Sequence, residues 1–239
     1  MSRPAIGGLP FETWKPVYER ILADFGYDRD ADERARDRLQ SLCTDKTATA
    51  LDSLDLGGRR VAVAGGAERL RDELDVVRSA DTVVAASIAA DRLRAAGIEV
   101  DCLVTDLDGS PDTARILMGE GTPVAVHAHG DNIPAIQRHV PTFDQQWMLP
   151  TTQAEPTGVV ANPGGFTDGD RAAFLADALG ANTLVFPGWA FDDPTVTAEK
   201  RRKLRWAERL LLWLEHRRGE QFAVLDGRRS GIDSAQLPI

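Results

Sequence analysis

The spacing of hydrophobic residues changes near residue 60 of this 239-residue chain. Over residues 11–43, apolar residues recur at intervals of three and four, with charged residues between them. This period is typical of amphipathic α-helices, because residues three and four apart share one face of a helix. The pattern therefore predicts a small helical N-terminal region, residues 1–55, that covers one side of a core.

Beyond residue 56 the apolar positions form short runs, separated by segments with helical spacing. The runs include VAVAGG from residue 61, VVAAS from residue 83, VDCLVTD from residue 100 and VAVHAHGD from residue 124. Short apolar strands that alternate with helices are typical of an α/β fold with a mostly parallel sheet. One of these helices is predicted over residues 67–80. We predict a Rossmann-like three-layer domain over residues 56–225 and a loosely ordered tail over residues 226–239.

Composition narrows the class of protein and its partners. The chain is 43% hydrophobic and 27% charged, which is ordinary for a soluble globular protein, and no apolar run approaches the ~20 residues of a membrane span. No signal-peptide core is visible near the N-terminus, and Cys43 and Cys102 follow no metal-binding spacing. We expect a cytoplasmic protein. The net charge of −9 argues against nucleic acid as a partner, and the sequence leaves a homodimer open.

Most of the glycine-rich and acidic sequence follows the predicted strands. In α/β folds with parallel sheets, ligands bind beyond the carboxyl ends of the strands. The segments at these places include AGGAE, TDLDGS, HAHGDN, NPGGFTDGD and FPGWAFDD. These loops are therefore the places where we expect functional residues.

TDLDGS contains two aspartates, Asp106 and Asp108, at the end of an apolar run. In an extended segment their side chains point the same way, and two carboxylates repel unless a hard cation such as Mg²⁺ lies near them. A metal site is the favoured interpretation. In the alternative, Asp108 begins a turn with Gly109, and Asp106 caps a helix.

HAHGDN ends the next predicted strand and offers Asp131 as a third carboxylate for the same metal. His127 and His129 also share one side of that strand, so a zinc or iron site is an alternative. A second alternative involves no ligand, because Asp131 or Asn132 is also suited to be the N-cap of the following helix.

NPGGFTDGD is the richest of the loops. Gly164 and Gly165 permit close backbone approach to a phosphate or a heterocycle ahead of a helix N-terminus. The alternative is a long turn that needs positive φ angles. Asp168 and Asp170, in the same loop, are interpreted as ligand contacts or helix caps.

Two further segments are candidates for phosphate contact. The loop AGGA contains Gly65 and Gly66, a pair that a tight turn would explain equally well. The basic segment with Lys200 and Lys203 directly follows a strand-end loop, so phosphate contact is one interpretation, and a solvated helix face, the usual role of a charged run, is the other.

Three strings, in this order and spacing, resemble the archaeal-type pyrophosphokinases that act on 6-hydroxymethyl-7,8-dihydropterin. They are AASIAADRLRAAGIEVDCLVTDLDG, HAHGDN and NPGGFTDGDRA, and the resemblance runs from about residue 61 to 215. That family is similar in turn to the catalytic domains of thiamine pyrophosphokinases. The resemblance implies Mg²⁺-dependent transfer of diphosphate from ATP to the hydroxymethyl group of the pterin, with release of AMP, in folate or methanopterin synthesis.

The resemblance also implies roles for particular residues. Asp106 and Asp108 fall on the metal-binding acidic pair, and Asp131 falls on the last acidic residue of the second string, so these three are the expected catalytic and Mg²⁺-binding residues. Asp168 falls on the acidic residue of the third string and is expected to contact the pterin. The other expected substrate contacts are Asn162, Gly164, Gly165 and His129, and the expected phosphate contacts are Lys200, Lys203, Gly65 and Gly66.

Three rival functions remain at this point. One is a thiamine pyrophosphokinase, and another is a sugar-nucleotide-dependent transferase, in which a D-x-D string also holds a metal. The third, from a different class, is a non-catalytic nucleotide-binding module.

Overall fold

The computed structural model describes residues 6–47, 51, 54–235 and 237–238. The strands are β1 (Arg60–Ala64), β2 (Thr82–Ala86), β3 (Cys102–Thr105), β4 (Val124–Ala128), β5 (Met148–Thr152) and β6 (Thr183–Val185). The helices are α1 (Phe11–Phe25), α2 (Arg29–Leu42), α3 (Leu74–Arg78), α4 (Ala89–Ala95), α5 (Pro111–Gly119), α6 (Ile133–His139), α7 (Asp168–Ala178) and α8 (Ala198–Arg218).

The six strands form one sheet in the order β5-β4-β3-β2-β1-β6, and every neighbouring pair is parallel. Strands β2 to β5 are buried at every position. Burial on both faces explains why these strands read as continuous apolar runs rather than as alternating ones. All six strands also end at the same edge of the sheet, so the loops after them lie side by side.

Alternate strand residues face two separate hydrophobic clusters. Val61, Val63 and Val104 pack in one cluster with α1, α7 and α8, whereas Ala62 and Leu103 pack in the other with α2, α4 and α5. The parallel sheet therefore lies between two helical layers, which confirms the predicted Rossmann-like three-layer fold.

The N-terminal helices are present as predicted, but they do not cover one side of the core. Trp14 of α1 packs against Phe174 and Trp213 of α7 and α8, whereas Ala35 and Leu39 of α2 are buried in the opposite cluster. The two helices thus straddle the β5 end of the sheet, because each has an apolar face that fits a different layer. Residues 1–5, 48–50 and 52–53 of the predicted N-terminal region lie outside the described residues.

Two other segments differ from the predictions. Residues 67–80 form a 3-10 helix (Glu68–Asp72) and then the short α3, and the Glu73 carboxylate between them accepts a hydrogen bond from the Gly188 amide. In the predicted loose tail, Arg228 and Arg229 form ion pairs with Glu208 and Glu215 of α8. Among the described helices, none combines the length and the apolar character that crossing a membrane requires.

Candidate active site

The carboxyl ends of the strands open into a cavity of about 540 Å³. Its wall contains residues from the loops after all six strands, from the turn between α1 and α2, and from the first turns of α7 and α8. Nine of the twelve predicted site residues line it, namely Gly65, Gly66, Asp106, Asp108, His129, Asp131, Asp168, Lys200 and Lys203.

The two aspartates of TDLDGS come together through a tight turn, which differs from the extended segment that we predicted. Leu107 between them is buried and has a left-handed φ of 69°. Its amide donates to Thr105 Oγ1, and the Asp108 amide donates to Asp106 Oδ1 at 3.2 Å. A left-handed leucine is costly, so its burial against the core must offset the strain.

Asp106, Asp108 and Asp168 form a cluster in which one carboxylate oxygen from each lies within 4.8 Å of the others. Burial, followed by the negative charge of Asp106, raises the pKa of Asp108, and the same two causes raise the pKa of Asp168 to about 8. Asp106 behaves differently. Burial acts to raise its pKa, but the hydrogen bond from His129 and the charge of Arg171 outweigh that effect and hold the pKa well below its usual range.

Arg171, in the first turn of α7, contacts two members of the cluster and also lines the cavity. Its side chain is only 6% exposed, and its Nη1 atom lies 2.9 Å from Asp168 Oδ1 and 3.5 Å from Asp106 Oδ2. His129 Nε2 lies 3.3 Å from the same Asp106 oxygen. Asp106 is therefore held by two nitrogen donors, which leaves Asp108 as the most exposed carboxylate of the three.

Asp131 lines the cavity, but it is exposed and is not part of the carboxylate cluster. Asn132 stands at the N-cap position of α6 without a side-chain cap. Its Nδ2 instead donates to the carbonyl oxygens of Asp106 and His127, at 2.8 and 2.6 Å. Asn132 thus ties the loop after β3 to the loop after β4.

His127 does not share a site with His129 in the way that the zinc or iron alternative requires. It is buried, its Nδ1 lies 3.1 Å from Thr151 Oγ1, and its Nε2 has no hydrogen-bond partner among the described residues. Burial, followed by the charge of Arg171, lowers its pKa well below the usual value. His127 is therefore a neutral imidazole beneath the site.

The loop NPGGFTDGD reaches the cavity only at its end. Asn162, Gly164 and Gly165 do not line the cavity. Asn162 Nδ2 donates to the carbonyl oxygens of Gln153 and Ala154, and the two glycines have φ angles of 102° and 93°. The alternative of a turn that needs positive φ angles describes these residues, and they support the fold around the site.

The two aspartates of this loop have separate roles. Asp168 belongs to the carboxylate cluster. Asp170 is fully buried and closes a capping box with Thr167, whose hydroxyl donates to Asp170 Oδ2 at 2.6 Å. Of the two interpretations given for this pair, capping thus describes Asp170, and ligand contact describes the position of Asp168.

The first glycine pair lies in the cavity wall. A Cβ at Gly65 would lie 2.6 Å from the Gly188 carbonyl oxygen, so the loop after β1 packs closely on the loop after β6. A Cβ at Gly66 would lie 2.7 Å from Ile88 Cγ2 and 3.8 Å from the Ala89 amide nitrogen. Lys200 and Lys203 line the same cavity, and the charge of Lys200 acts on Asp108. The basic segment therefore faces the carboxylates.

Several cavity residues were missed from the sequence. The important ones are Arg171, Gln153 and Asp32, because a buried polar residue inside a helix or after a strand carries no local signature. Only Arg171 had a usable signal, since it stands three residues after Asp168 and therefore on the same face of α7.

The donor set of the cluster fits a hard divalent cation. It offers only carboxylate oxygens, the ligands that Mg²⁺ and Ca²⁺ prefer. Burial, followed by the negative charge of Asp106, raises the pKa of Asp108 and Asp168, and a bound cation would offset both effects. A zinc or iron site would need nitrogen or sulfur ligands, and the cluster of described residues contains none.

Comparisons with known proteins agree with the resemblance. A family model described as "6-hydroxymethylpterin diphosphokinase MptE-like" matches residues 34–195. A Methanothermobacter thermautotrophicus protein named 6-hydroxymethyl-7,8-dihydropterin pyrophosphokinase is 38% identical over 224 residues, which cover 87% of this chain and 96% of the relative. Proteins of the same name from Pyrococcus furiosus and Methanocaldococcus jannaschii are 35% and 28% identical, over 87% and 77% of this chain and 95% and 80% of their own lengths.

Proposed function

The chain belongs to the MptE-like family of 6-hydroxymethylpterin diphosphokinases, and from this premise we propose that it transfers diphosphate from ATP to 6-hydroxymethyl-7,8-dihydropterin. The products are AMP and the pterin diphosphate, an intermediate of folate or methanopterin synthesis. The observation that carries the proposal is the cluster of Asp106, Asp108 and Asp168, which lies in one cavity with Lys200 and Lys203.

In the proposed reaction the hydroxymethyl oxygen forms a bond to the β-phosphorus of ATP. The bond from that phosphorus to the oxygen that bridges to the α-phosphate breaks, AMP leaves with the electron pair, and the hydroxyl proton passes to solvent. Such a transfer asks the protein mainly for alignment and for stabilisation of negative charge. A cavity with carboxylates on its floor and lysines on α8 supplies both.

Asp106, Asp108 and Asp168 are the residues that would hold Mg²⁺, so Asp168, which the resemblance implied as a pterin contact, is proposed here as a metal ligand instead. The ion, when bound, neutralises charge on the phosphate oxygens. Arg171 and His129 contact Asp106 Oδ2 and keep its carboxylate oriented and ionised. Asp131 stands apart from the three, so we no longer include it among the proposed ligands and keep it as a cavity residue only.

The phosphates are proposed to contact Lys200 and Lys203 and the backbone near Gly65 and Gly66, all of which line the cavity. Tyr27, Phe166 and Trp189 line it as well. Aromatic side chains of this kind stack on flat rings, and both adenine and a pterin offer one.

One assay separates this proposal from its rivals. Purified protein, ATP and Mg²⁺ are incubated in parallel with hydroxymethyl-dihydropterin, with thiamine, and with a nucleotide sugar in place of ATP, and AMP and the diphosphorylated product are measured. We expect AMP only with the pterin. AMP formation with thiamine, nucleotide-sugar turnover, or no turnover with any pair would contradict the proposal.

The metal assignment has its own test. Asp106→Asn keeps the shape of the side chain but removes the negative charge, so we expect pterin-dependent AMP formation to be abolished while the melting temperature stays near that of the wild type. Wild-type turnover in this variant would overturn the assignment of Asp106 to the metal.

A further inference from the structure

A buried polar residue on the N-terminal helix α2 lies next to the cavity and has no part in the proposed chemistry. Asp32 is only 3% exposed and accepts three hydrogen bonds. Its Oδ2 accepts from Tyr18 Oη at 2.8 Å and from Gln153 Nε2 at 2.7 Å, and its Oδ1 accepts from the Gly130 amide at 2.7 Å. Burial of a carboxylate is costly, and the three donors arranged around Asp32 offset that cost, which indicates a role beyond packing.

The first of its connections leads to Arg171. A carboxylate only accepts hydrogen bonds, so Gln153 must turn its amino group toward Asp32 and its carbonyl oxygen away from it. That oxygen lies 3.3 Å from Arg171 Nη2, and a guanidinium only donates. Asp32 therefore decides which end of the Gln153 amide meets the arginine that contacts Asp106 and Asp168.

The second connection leads to His129. The Gly130 amide that Asp32 holds belongs to the residue directly after His129, whose Nε2 contacts Asp106. Helix α2 approaches this point so closely that a Cβ at Gly130 would lie 2.7 Å from the Ala31 Cβ. Both side chains that hold the Asp106 carboxylate are thus braced by the same residue of α2.

We propose that Asp32 is a positioning residue of the carboxylate cluster, acting through Gln153 on Arg171 and through Gly130 on His129. Helix α2 is then part of the site, although Asp32 precedes the residues 34–195 that the family model matches. The proposal rests on the proposed function only for its kinetic consequence, because the geometry of the cluster is measurable without substrates.

The direct test is metal binding to the full chain, with Mn²⁺ as the probe and electron paramagnetic resonance as the readout. In Asp32→Asn, an NH₂ donor replaces one of the two carboxylate oxygens, so either Gln153 or the Gly130 amide loses its acceptor. We expect Mn²⁺ to bind about 10-fold more weakly, the loss typical of removing a residue that orients metal ligands. We expect kcat to fall by a similar factor and the KM for ATP to stay close to that of the wild type.

Gln153→Leu interrupts the connection at its middle and tests the proposal independently if Asp32→Asn folds poorly. We expect the same weakening of Mn²⁺ binding. Because Asp32 acts partly through Gln153, the two substitutions remove part of the same effect. The loss of Mn²⁺ affinity in the double variant should therefore be smaller than the two single losses multiplied together. Effects that multiply would overturn this route, and wild-type Mn²⁺ affinity in either single variant would overturn the proposal.

Leu39→Ala is the matched control, because Leu39 is fully buried on the same helix but packs in the hydrophobic cluster of Ala62 and Leu103. It should lower the melting temperature but leave Mn²⁺ affinity unchanged. If it weakens Mn²⁺ binding as much as Asp32→Asn does, general loosening of α2 explains both results, and the proposal fails.

Measurements on the wild-type chain distinguish a failure of the positioning proposal from a failure of the proposed function. A wild-type chain that binds no Mn²⁺ at the cluster overturns the positioning proposal. A wild-type chain that binds Mn²⁺ but forms no AMP with the pterin overturns only the proposed function.

Discussion

The loop after β1 and the loop before α7 each contain a pair of glycines, but only the first pair lines the cavity. Gly65 and Gly66 leave room for a ligand and for the neighbouring loop after β6. Gly164 and Gly165 have positive φ angles, and a Cβ on either would collide with Phe174 or Arg171 of α7. The second pair therefore positions a helix, and that helix brings Asp168 to the cavity.

The difference teaches that glycine serves two physical purposes which look alike in a sequence. One is open space for a ligand, and the other is a backbone conformation that other residues avoid. The loop before α7 contributes through the carboxylate at its end, and the loop after β1 contributes through its backbone. Four substitutions would sharpen or break this division, and they are ordered by the expected change in free energy.

The largest effect is expected for Asp168→Asn, because Asp168 is the point at which the loop before α7 meets the carboxylate cluster. We expect kcat to fall by at least about 100-fold, the equivalent of ~3 kcal/mol, since an amide replaces a charged ligand. Steady-state AMP formation measures it. Asp170→Asn is the control in the same loop, and it should lower the melting temperature while kcat is retained. A comparable loss of kcat in both variants would contradict the division of roles.

Gly165→Ala should mainly affect stability. The alanine would need a φ of 93°, and its Cβ would lie 2.6 Å from backbone atoms of Arg171. We expect a loss of about 2–3 kcal/mol in the free energy of unfolding. Denaturant titration measures it. Gly97→Ala, also at a positive φ but with open space around the Cβ, should lose only about 1 kcal/mol. Equal losses would show that backbone strain alone, without the collision, explains the effect.

Gly66→Ala should mainly affect the KM for ATP, whereas Gly165→Ala should mainly affect stability. Its Cβ would lie 2.7 Å from Cγ2 of the exposed Ile88 side chain and 3.8 Å from the Ala89 amide nitrogen, so Ile88 must shift, and we expect a stability loss of about 1 kcal/mol, smaller than that of Gly165→Ala. The added methyl narrows the cavity, and we expect the KM for ATP to rise about 5-fold, or ~1 kcal/mol. Gly65→Ala should also lose stability, because its Cβ meets the Gly188 carbonyl. An unchanged KM in Gly66→Ala would remove this loop from the phosphate site.

The smallest effect is expected for Lys200→Ala. Lys200 is exposed at the cavity, so the loss of one charge should raise the KM for ATP only about 3-fold, equivalent to ~0.7 kcal/mol, and added salt should shrink the difference. Lys15→Ala, on α1 and away from the cavity wall, is the control and should leave the KM unchanged. The same KM for ATP in the Lys200→Ala and Lys15→Ala variants would contradict phosphate contact by Lys200.

The order of strands and loops in the sequence predicted where the site lies, but it did not predict which residues form the site. Asp106 and Asp108 were predicted together because they end a strand. Asp131 was preferred to Asp168 as their partner because it follows the neighbouring strand, yet it is Asp168 that lies with them. The start of α7 passes over the end of β3, and no pattern along the chain reports that crossing.

The sequence by itself determined the alternation of buried strands with helices, and with it a parallel sheet whose strand-end loops meet at one edge. Hydrophobic spacing is a local property, so it can be read without a structure. The tertiary structure alone decided which carboxylates converge and what braces them. Leu107 turns the two aspartates together, and Asp32 meets Gln153 across 121 positions of the chain. Hydrogen bonds act over about 3 Å of space, and residues that distant in sequence become neighbours only through packing.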